Sequence, residues 1–395
     1  MTSFSRSSAL SRLAGVPLAL LLLAVAGCGP KDGVKEYNAG QAAYETRSLE
    51  KAEKLFEKSL RYAPESVDAL VMLARVQCDL GKMSEAAETV AKAVELQPDA
   101  VDAALLDAEI AFYLNDYARA VKRFTDVAED ASAGAEAQSL GWTGIGIVEM
   151  ACENRDLARI ALLRAIRLDR RNPSARYHLG LLYRGDSFGY LDAALEQFEI
   201  FVRLGEKADP RAVHAQRTII PGIKEDITRR AASRKGADKR DAAASAAALS
   251  KAAAAMKKGS YKTARSEYEA AYKADVLSYP AALGLAKAWE KIDSSNSGRQ
   301  RTLDWYKEAC SLKPSAISTF LAAGELAARI GQHATAAELY SRAVAANPSD
   351  ISAIDGLIRA LRKTGKGDIA NAYQRYRVRD CPQGEVKWNS RRATM

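Results

Sequence analysis

Histidine is the side chain that most often carries acid–base chemistry near neutral pH. The chain contains these histidines: His178, His214 and His333. None of them lies in a helical His-Glu-x-x-His arrangement or beside a plausible nucleophile. Gly141, Gly144 and Gly146 have the spacing of a phosphate-binding loop, but they fall inside a predicted helix and follow no strand. The sequence therefore predicts a protein that is not an enzyme and that holds no cofactor and no metal.

Cys28 is the one residue whose setting predicts a covalent change. Arg6 and Arg12 precede an apolar run over residues 13–25, and Gly27 comes directly before the cysteine. A charged head, a short apolar stretch and small residues are typical of a secretory signal, and this run is shorter than the roughly 20 residues that span a bilayer. An ordinary cleaved signal and an uncleaved anchor are the alternatives.

The end of this run, Val-Ala-Gly-Cys at residues 25–28, resembles the bacterial lipoprotein box. The resemblance implies that residues 1–27 are a signal peptide, that Cys28 is lipidated, and that residues 28–32 form a tether. It places the protein in the bacterial cell envelope, anchored by lipid and facing the periplasm. Gly29 stands where an aspartate would favour the inner membrane of enteric bacteria, so the outer membrane is the expected one. Several acyl chains anchor stably because each buried methylene contributes about 0.8 kcal/mol.

The rest of the chain is organised by a 34-residue period. The recurring positions are Ala52, Ala86 and Ala120; Phe56, Val90 and Phe124; and Pro64 and Pro98. Each period predicts two helices joined by a turn, with small residues where the helices approach closely and a proline after the second helix. A single hairpin cannot bury its apolar face, so successive hairpins must stack.

This pattern resembles the tetratricopeptide repeat (TPR). Further matches are Trp142, Gly146 and Ala158; Leu179, Gly180, Tyr183, Ala194 and Phe198; Ala264, Tyr268 and Ala271; Tyr306, Ala309 and Pro314; Phe320, Gly324, Gly331, Ala336, Tyr340, Ala343 and Pro348; and Leu357, Gly365 and Ala370. Pro173 comes three residues late, and insertions fall at 186–189 and 294–300. The resemblance implies an all-α fold, a TPR helical solenoid of about eight to nine helix-turn-helix units in two blocks.

The repeat pattern lapses between the two blocks. We expect an N-terminal TPR block over residues 33–205, a charged join rich in Ala, Lys and Arg over 206–242, a C-terminal TPR block over 243–380 and a basic tail over 381–395. The join can still be helical because its residue types favour helix.

The resemblance also implies where a partner would bind, because the first helices of TPR units line a concave face. Carried onto this sequence, the partner-binding groove consists of Tyr37, Gln41, Tyr44, Val71, Arg75, Leu105, Glu109, Phe112, Tyr113, Ile147 and Met150, with Asp79 beside them. Rigid aromatic rings suit an extended or helical peptide, and Arg75 can bind a carboxylate in bidentate fashion. The alternative is that some of these side chains pack between repeats. The Lys and Asn clamp of cytosolic co-chaperone TPRs is missing.

The carboxyl-terminal block carries a possible second, basic surface. Its residues are Arg329, Arg359, Arg362 and Lys363. The whole chain has a formal net charge of +9, and its basic end can meet anionic lipid headgroups, an acidic partner or a nucleic acid. Export makes nucleic acid the least expected of these, and a solvated end cap is the alternative.

Four cysteines remain besides Cys28. Cys78 and Cys152 fall two repeats apart, which is too far for a bridge, and Cys310 can reach Cys381 only if the tail folds back. None has the paired spacing of a zinc site. We expect small buried thiols.

The leading interpretation is an exported, lipid-anchored TPR scaffold that binds peptides or proteins and helps assemble a cell-envelope complex. It is similar to the pilotin lipoproteins of type IV pilus secretins, and to lipoproteins that serve barrel assembly or the peptidoglycan machinery. The alternatives are a self-assembling structural envelope protein, which would form a homo-oligomer through its basic end, and, less expected, an envelope enzyme.

Overall fold

A computed structural model describes residues 33–185, 189–205 and 209–381. The predicted signal peptide, Cys28 and its tether, residues 186–188 of the first insertion and the basic tail beyond residue 381 lie outside these ranges. No helix of the described residues has the length and apolar character needed to cross a membrane.

The described chain is built from consecutive helices that pair as hairpins. In chain order they are α1 (Val34–Glu45) and α2 (Leu49–Tyr62); α3 (Val67–Asp79) and α4 (Met83–Leu96); α5 (Val101–Tyr113) and α6 (Tyr117–Glu129); α7 (Gly134–Ala151) and α8 (Arg155–Leu168); α9 (Pro173–Arg184) and α10 (Leu191–Leu204); α11 (Pro210–His214), a π-helical turn (Ala215–Ile219) and α12 (Ile220–Ala232); α13 (Ala242–Lys257) and α14 (Tyr261–Ala274); α15 (Tyr279–Ile292) and α16 (Asn296–Leu312); α17 (Ile317–Arg329) and α18 (His333–Ala346); and α19 (Ile351–Lys363) and α20 (Gly367–Asp380). The predicted all-α TPR solenoid is confirmed.

The 34-residue period marks the core of these hairpins. Ala52, Ala86 and Ala120 are fully buried, and so are Phe56 and Phe124. A side chain as small as alanine lets the second helix of a hairpin lie close to the first, and the aromatic ring one turn later fills the space between them. Burying each such ring contributes about 2–3 kcal/mol through the hydrophobic effect.

Prolines mark two different positions in the helices. Pro64, Pro98, Pro314 and Pro348 each stand two residues after the last residue of a helix, as the repeat predicts. Pro173 instead begins α9, where its missing amide donor costs no hydrogen bond. Pro173 comes three residues later than the repeat predicts because it starts α9 and does not follow the end of α8.

Most turns inside the hairpins contain one residue with a left-handed backbone. Glycine occupies it at Gly81 (φ 79°) and Gly331 (φ 82°), whereas Arg47 (φ 59°), Asn115 (φ 61°) and Glu153 (φ 60°) hold the same conformation with a side chain present. The left-handed region costs a non-glycine residue roughly 1–2 kcal/mol. The turn is therefore set by the packing of the two helices, which imposes the conformation even on residues that disfavour it.

The chain divides into two compact units after Ala175, which we call unit 1 and unit 2. The expected block boundaries were drawn from repeat matches, and they stay predictions. In unit 2 the predicted join is largely helical, and α12 packs against α10 through the fully buried Ile223. The hydroxyl of Tyr190, just before α10, donates a hydrogen bond to Ser341 Oγ of α18 at 3.1 Å. Within unit 2, the residue that precedes α10 thus contacts α18.

Replacing Gly81 by alanine tests the role of the left-handed turn. A Cβ at Gly81 would meet no atom within 4 Å, so any loss comes from the backbone alone. We expect Gly81→Ala to lower the free energy of unfolding by about 1 kcal/mol in urea denaturation. Gly367→Ala is the matched control, because that site is equally open but has no positive φ; it should be neutral or stabilising. Equal losses in both variants would contradict this account.

Candidate partner-binding surface

In unit 1 the first helices pack against each other, α1 against α3 and α3 against α5, and they carry most of the predicted groove residues. We call this set the unit-1 face, and it consists of Tyr37, Gln41, Tyr44, Arg75, Asp79, Glu109, Phe112 and Tyr113. All of them except Asp79 belong to the predicted groove. Met150, near the end of α7, is half-buried. Because these side chains come from successive first helices, each hairpin adds one row to the face.

Three residues of the predicted groove lie in the core. Val71 and Leu105 are each 7% exposed and Ile147 is 8% exposed. Val71 packs in a cluster with Leu70 and Ala74. Successive first helices cover the side chains that point between them, so these three residues support the face and present almost no surface to a partner. Assigning them to the groove surface was wrong for this reason.

Tyr44 links the first two hairpins. Its hydroxyl donates a hydrogen bond to Asp79 Oδ2 at 2.8 Å, and Arg47 Nη1 lies 3.4 Å from the same oxygen. Burial, together with the hydrogen bond to Asp79, raises the pKa of Tyr44 to about 12. The phenol therefore stays neutral and holds α1 against α3. The sequence pattern missed Arg47, because it lies in the turn and not on a first helix.

Arg75 and Glu109 form the polar centre of the unit-1 face. Arg75 is half-buried on α3, and its Nε is a buried donor with no acceptor in the described chain. Burial raises the pKa of the Glu109 carboxyl to about 8, and the charge of Arg75 opposes this rise. The described residues contain no ion pair between the two groups. The face thus holds a cation with an open donor beside a carboxyl group that is mostly protonated at neutral pH.

The thiol of Cys78, near Arg75 and Glu109, is unreactive at neutral pH. Burial, with a smaller contribution from Glu109, raises the pKa of Cys78 to about 12. A thiol with so high a pKa carries almost no thiolate at neutral pH, and the thiolate is the reactive form.

The unit-1 face also contains the aromatic rings of Tyr37, Phe112 and Tyr113. The Phe112 ring packs edge-on against Tyr113, with 5.8 Å between the ring centres, and Phe112 also contacts the core cluster around Phe124. On α1, Gln41 Nε2 donates a hydrogen bond to Tyr37 Oη at 3.1 Å. Rings held in this way provide contact area with little loss of conformational entropy on binding.

The predicted second surface in unit 2 is exposed, and part of it is paired within the chain. Arg329 binds Glu325 at 3.0 Å, whereas Arg362 and Lys363 are exposed at the end of α19. Arg359 is also exposed, and it lies near the Tyr340 hydroxyl. The role of this second surface in binding stays a prediction.

The other candidate chemical groups serve packing. His178 is buried, and burial lowers its pKa to about 3, so it is neutral. A Cβ on Gly141 would come within 2.8 Å of the backbone of α6, so that glycine permits close helix packing inside α7. Among the described residues, no group of His, Cys, Asp and Glu side chains could hold a metal ion.

The described cysteines form no disulfide. Cys310 and Cys381 are buried, Cys78 is half-buried and Cys152 is exposed. Cys381 Sγ lies 3.7 Å from the carbonyl oxygen of Pro348. The expectation of small buried thiols is therefore wrong for Cys152, which lies just after α7, where no neighbouring helix covers it.

Comparison with known proteins agrees with this geometry. Residues 43–110, which span the face from Tyr44 to Glu109, match the family model for the tetratricopeptide repeat. The fold is a TPR solenoid. No curated protein matches the chain.

Several solved TPR-like structures resemble part of this solenoid. A thermophilic TPR protein of Thermus thermophilus is 24% identical (48% of this chain, 99% of that chain, TM-score 0.39). The pilF protein of Pseudomonas aeruginosa is 17% identical (52% and 94%, TM-score 0.41), and MamA of Desulfovibrio magneticus RS-1 is 20% identical (46% and 99%, TM-score 0.37).

Glu109 gives the unit-1 face a pH dependence with a defined sign. The folded carboxyl has a pKa of about 8 and the ordinary value is 4.5, so between these pH values the folded chain holds a proton that the unfolded chain has released. The free energy of unfolding should therefore fall as the pH rises through this window. We expect Glu109→Gln to remove this fall and to be more stable than wild type at pH 8 by on the order of 2 kcal/mol.

Chemical denaturation at pH 4.5, 6 and 8 measures this effect. Glu57→Gln is the control, because Glu57 is an exposed carboxylate on α2 and its loss should leave the pH profile parallel to that of wild type. Parallel profiles for Glu109→Gln as well would show that Glu109 is ionised in the folded chain.

Proposed function

We propose that this protein is a lipid-anchored scaffold of the bacterial cell envelope, and that its unit-1 face binds a peptide segment of a partner protein. The observation that carries the proposal is that Arg75, whose buried Nε has no acceptor in the described chain, lies near Glu109, whose pKa is raised. Buried polar groups are normally hydrogen-bonded. A partner that supplies an acceptor to Arg75 would complete the face.

The chemistry of the face favours a peptide with a carboxylate or carbonyl group at its centre. The guanidinium can donate two parallel hydrogen bonds to such a group. Protonated Glu109 adds a donor, and it does not repel an acidic ligand below pH 8 as an ionised carboxylate would. Phe112 and Tyr113 would pack against the apolar side chains on either side of that group. Partner binding, and not catalysis, is the function that these groups support.

Anchoring to the envelope rests on the amino-terminal sequence. The apolar run and the small residues before Cys28 support lipidation of that cysteine, and the outer membrane is the expected site. The pilus secretin, barrel assembly and peptidoglycan pathways each fit an anchored scaffold, and a self-assembling structural role is the alternative.

Site-specific photo-crosslinking in cells tests the partner-binding role. A photoreactive phenylalanine analogue at position 113 should attach one dominant envelope protein, and the same analogue at Lys122, exposed on α6, should not. Arg75→Gln should lower the yield about tenfold, because it removes a charge-assisted hydrogen bond, and should change the stability by less than about 1 kcal/mol. Crosslinks only to a second copy of the chain would instead support self-assembly. No crosslink at position 113, or an equal yield with Arg75→Gln, would refute the role given to the face.

Lipidation is tested separately by Cys28→Ala. Without the thiol no acyl chain can be attached, so we expect the variant to move from the membrane fraction to the soluble fraction when cells are lysed and centrifuged. Cys152→Ala, which removes the exposed cysteine, should leave the distribution unchanged. If Cys28→Ala stays in the membrane fraction, the anchor is not a lipid on Cys28.

A further inference from the structure

Unit 2 contains a cavity that the repeat pattern does not account for. Its volume is about 570 Å³, within the range of roughly 300–1,000 Å³ that is usual for small-molecule sites. The walls come from α10, α12, the turn between α16 and α17, and α18. Next to the cavity, the hydrogen bond from Tyr190 to Ser341 joins the residue before α10 to α18.

One wall of the cavity carries a cation with an unused donor. Arg342 Nη2 binds Glu338 at 3.1 Å, and its guanidinium lies 5.3 Å from the centre of the Tyr190 ring. Its Nε, however, is buried and has no acceptor within the described ranges. The ring and Glu338 fix the orientation of the guanidinium, so this wall presents a cation in a defined position.

The charges around the cavity favour an anion. Three arginines line it, Arg230, Arg234 and Arg342, against two carboxyl groups, Asp192 and Glu196. Arg234 is already held by Glu308, and it donates to Ser311 Oγ at 2.7 Å. Arg230 is exposed on α12 and makes no ion pair that the described structure contains. Burial raises the pKa of Asp192, and the charge of Arg230 opposes this rise.

Apolar side chains complete the lining. Leu191 and Phe320 are buried in the walls, and Ile227, Leu312 and Ile317 are partly exposed. An apolar ligand body would therefore exchange water for contacts with these side chains, while its charged group reaches Arg342.

We propose that this cavity binds a small organic anion, in which one carboxylate or sulfonate group on an apolar body accepts hydrogen bonds from Arg342 and Arg230. The basic segment beyond residue 381 is a poor occupant, because its Lys387, Arg391 and Arg392 outnumber its one acidic residue and would meet the cavity's arginines. The proposal concerns unit 2 alone, and it stands or falls separately from partner binding at the unit-1 face.

Two fluorescent probes with the same aromatic body test the proposal on the full chain. 8-Anilinonaphthalene-1-sulfonate carries the anion, and N-phenyl-1-naphthylamine lacks it. We expect one saturable site for the sulfonate, weakened about tenfold by Arg342→Gln and several-fold by Arg230→Gln, because each substitution removes a charge-assisted hydrogen bond. Neither substitution should alter binding of the neutral probe by more than about twofold. Decanoate should displace the sulfonate, and decanol should not.

Arg329→Gln is the control for the loss of one positive charge, because Arg329 is exposed at the end of α17 and does not line the cavity. This variant should bind the sulfonate as well as wild type does. If Arg342→Gln does not fold, Arg230→Gln still tests the proposal, because Arg230 is exposed and its substitution should not disturb folding. The absence of a saturable site, or equal affinity of wild type and Arg230→Gln for the sulfonate, would overturn the proposal.

Discussion

Close packing of the two helices in each hairpin is the constraint on which the rest of this structure depends. The fully buried Ala52, Ala86 and Ala120 let the helices approach, and Phe56 and Phe124 fill the space beside them. This packing is strong enough to hold Arg47 and Glu153 in left-handed turns that disfavour side chains. Within the described residues each hairpin contacts mainly its neighbours, so the first-helix side chains that no neighbour covers stay available for partners.

Both candidate sites contain an arginine whose buried Nε has no acceptor in the described chain. In unit 1 that residue is Arg75, and in unit 2 it is Arg342. A guanidinium has five N–H donors in a rigid plane, so local partners can orient it without using every donor. The surroundings then set the ligand. Arg75 lies on a face with aromatic rings, which suits a peptide segment, whereas Arg342 lines a cavity, which suits a small anion.

Much of the fold could be predicted from the sequence, and the sites only in part. The 34-residue period predicted the hairpins, because it reflects packing within one repeat and between neighbours. It could not predict the burial of Val71, Leu105 and Ile147, which depends on how far each first helix is covered by the next. The cavity could not be predicted from the sequence either, because it lies beside a contact between Tyr190 and Ser341, about 150 residues apart in the chain. A contact between such distant residues leaves no periodic pattern in the sequence.

The carbonyl oxygen of Pro348 has a consequence for how the end of unit 2 opens. It accepts a hydrogen bond from the Tyr376 hydroxyl at 3.0 Å, and Cys381 Sγ lies 3.7 Å away, so α20 is fastened to the end of α18. The terminal element of a repeat array ordinarily frays first, because it has one neighbour instead of two. Here fraying of α20 requires the loss of a buried hydrogen bond to the preceding hairpin. The opening of α20 is thereby coupled to the segment that follows α18, which adds cooperativity between the two hairpins.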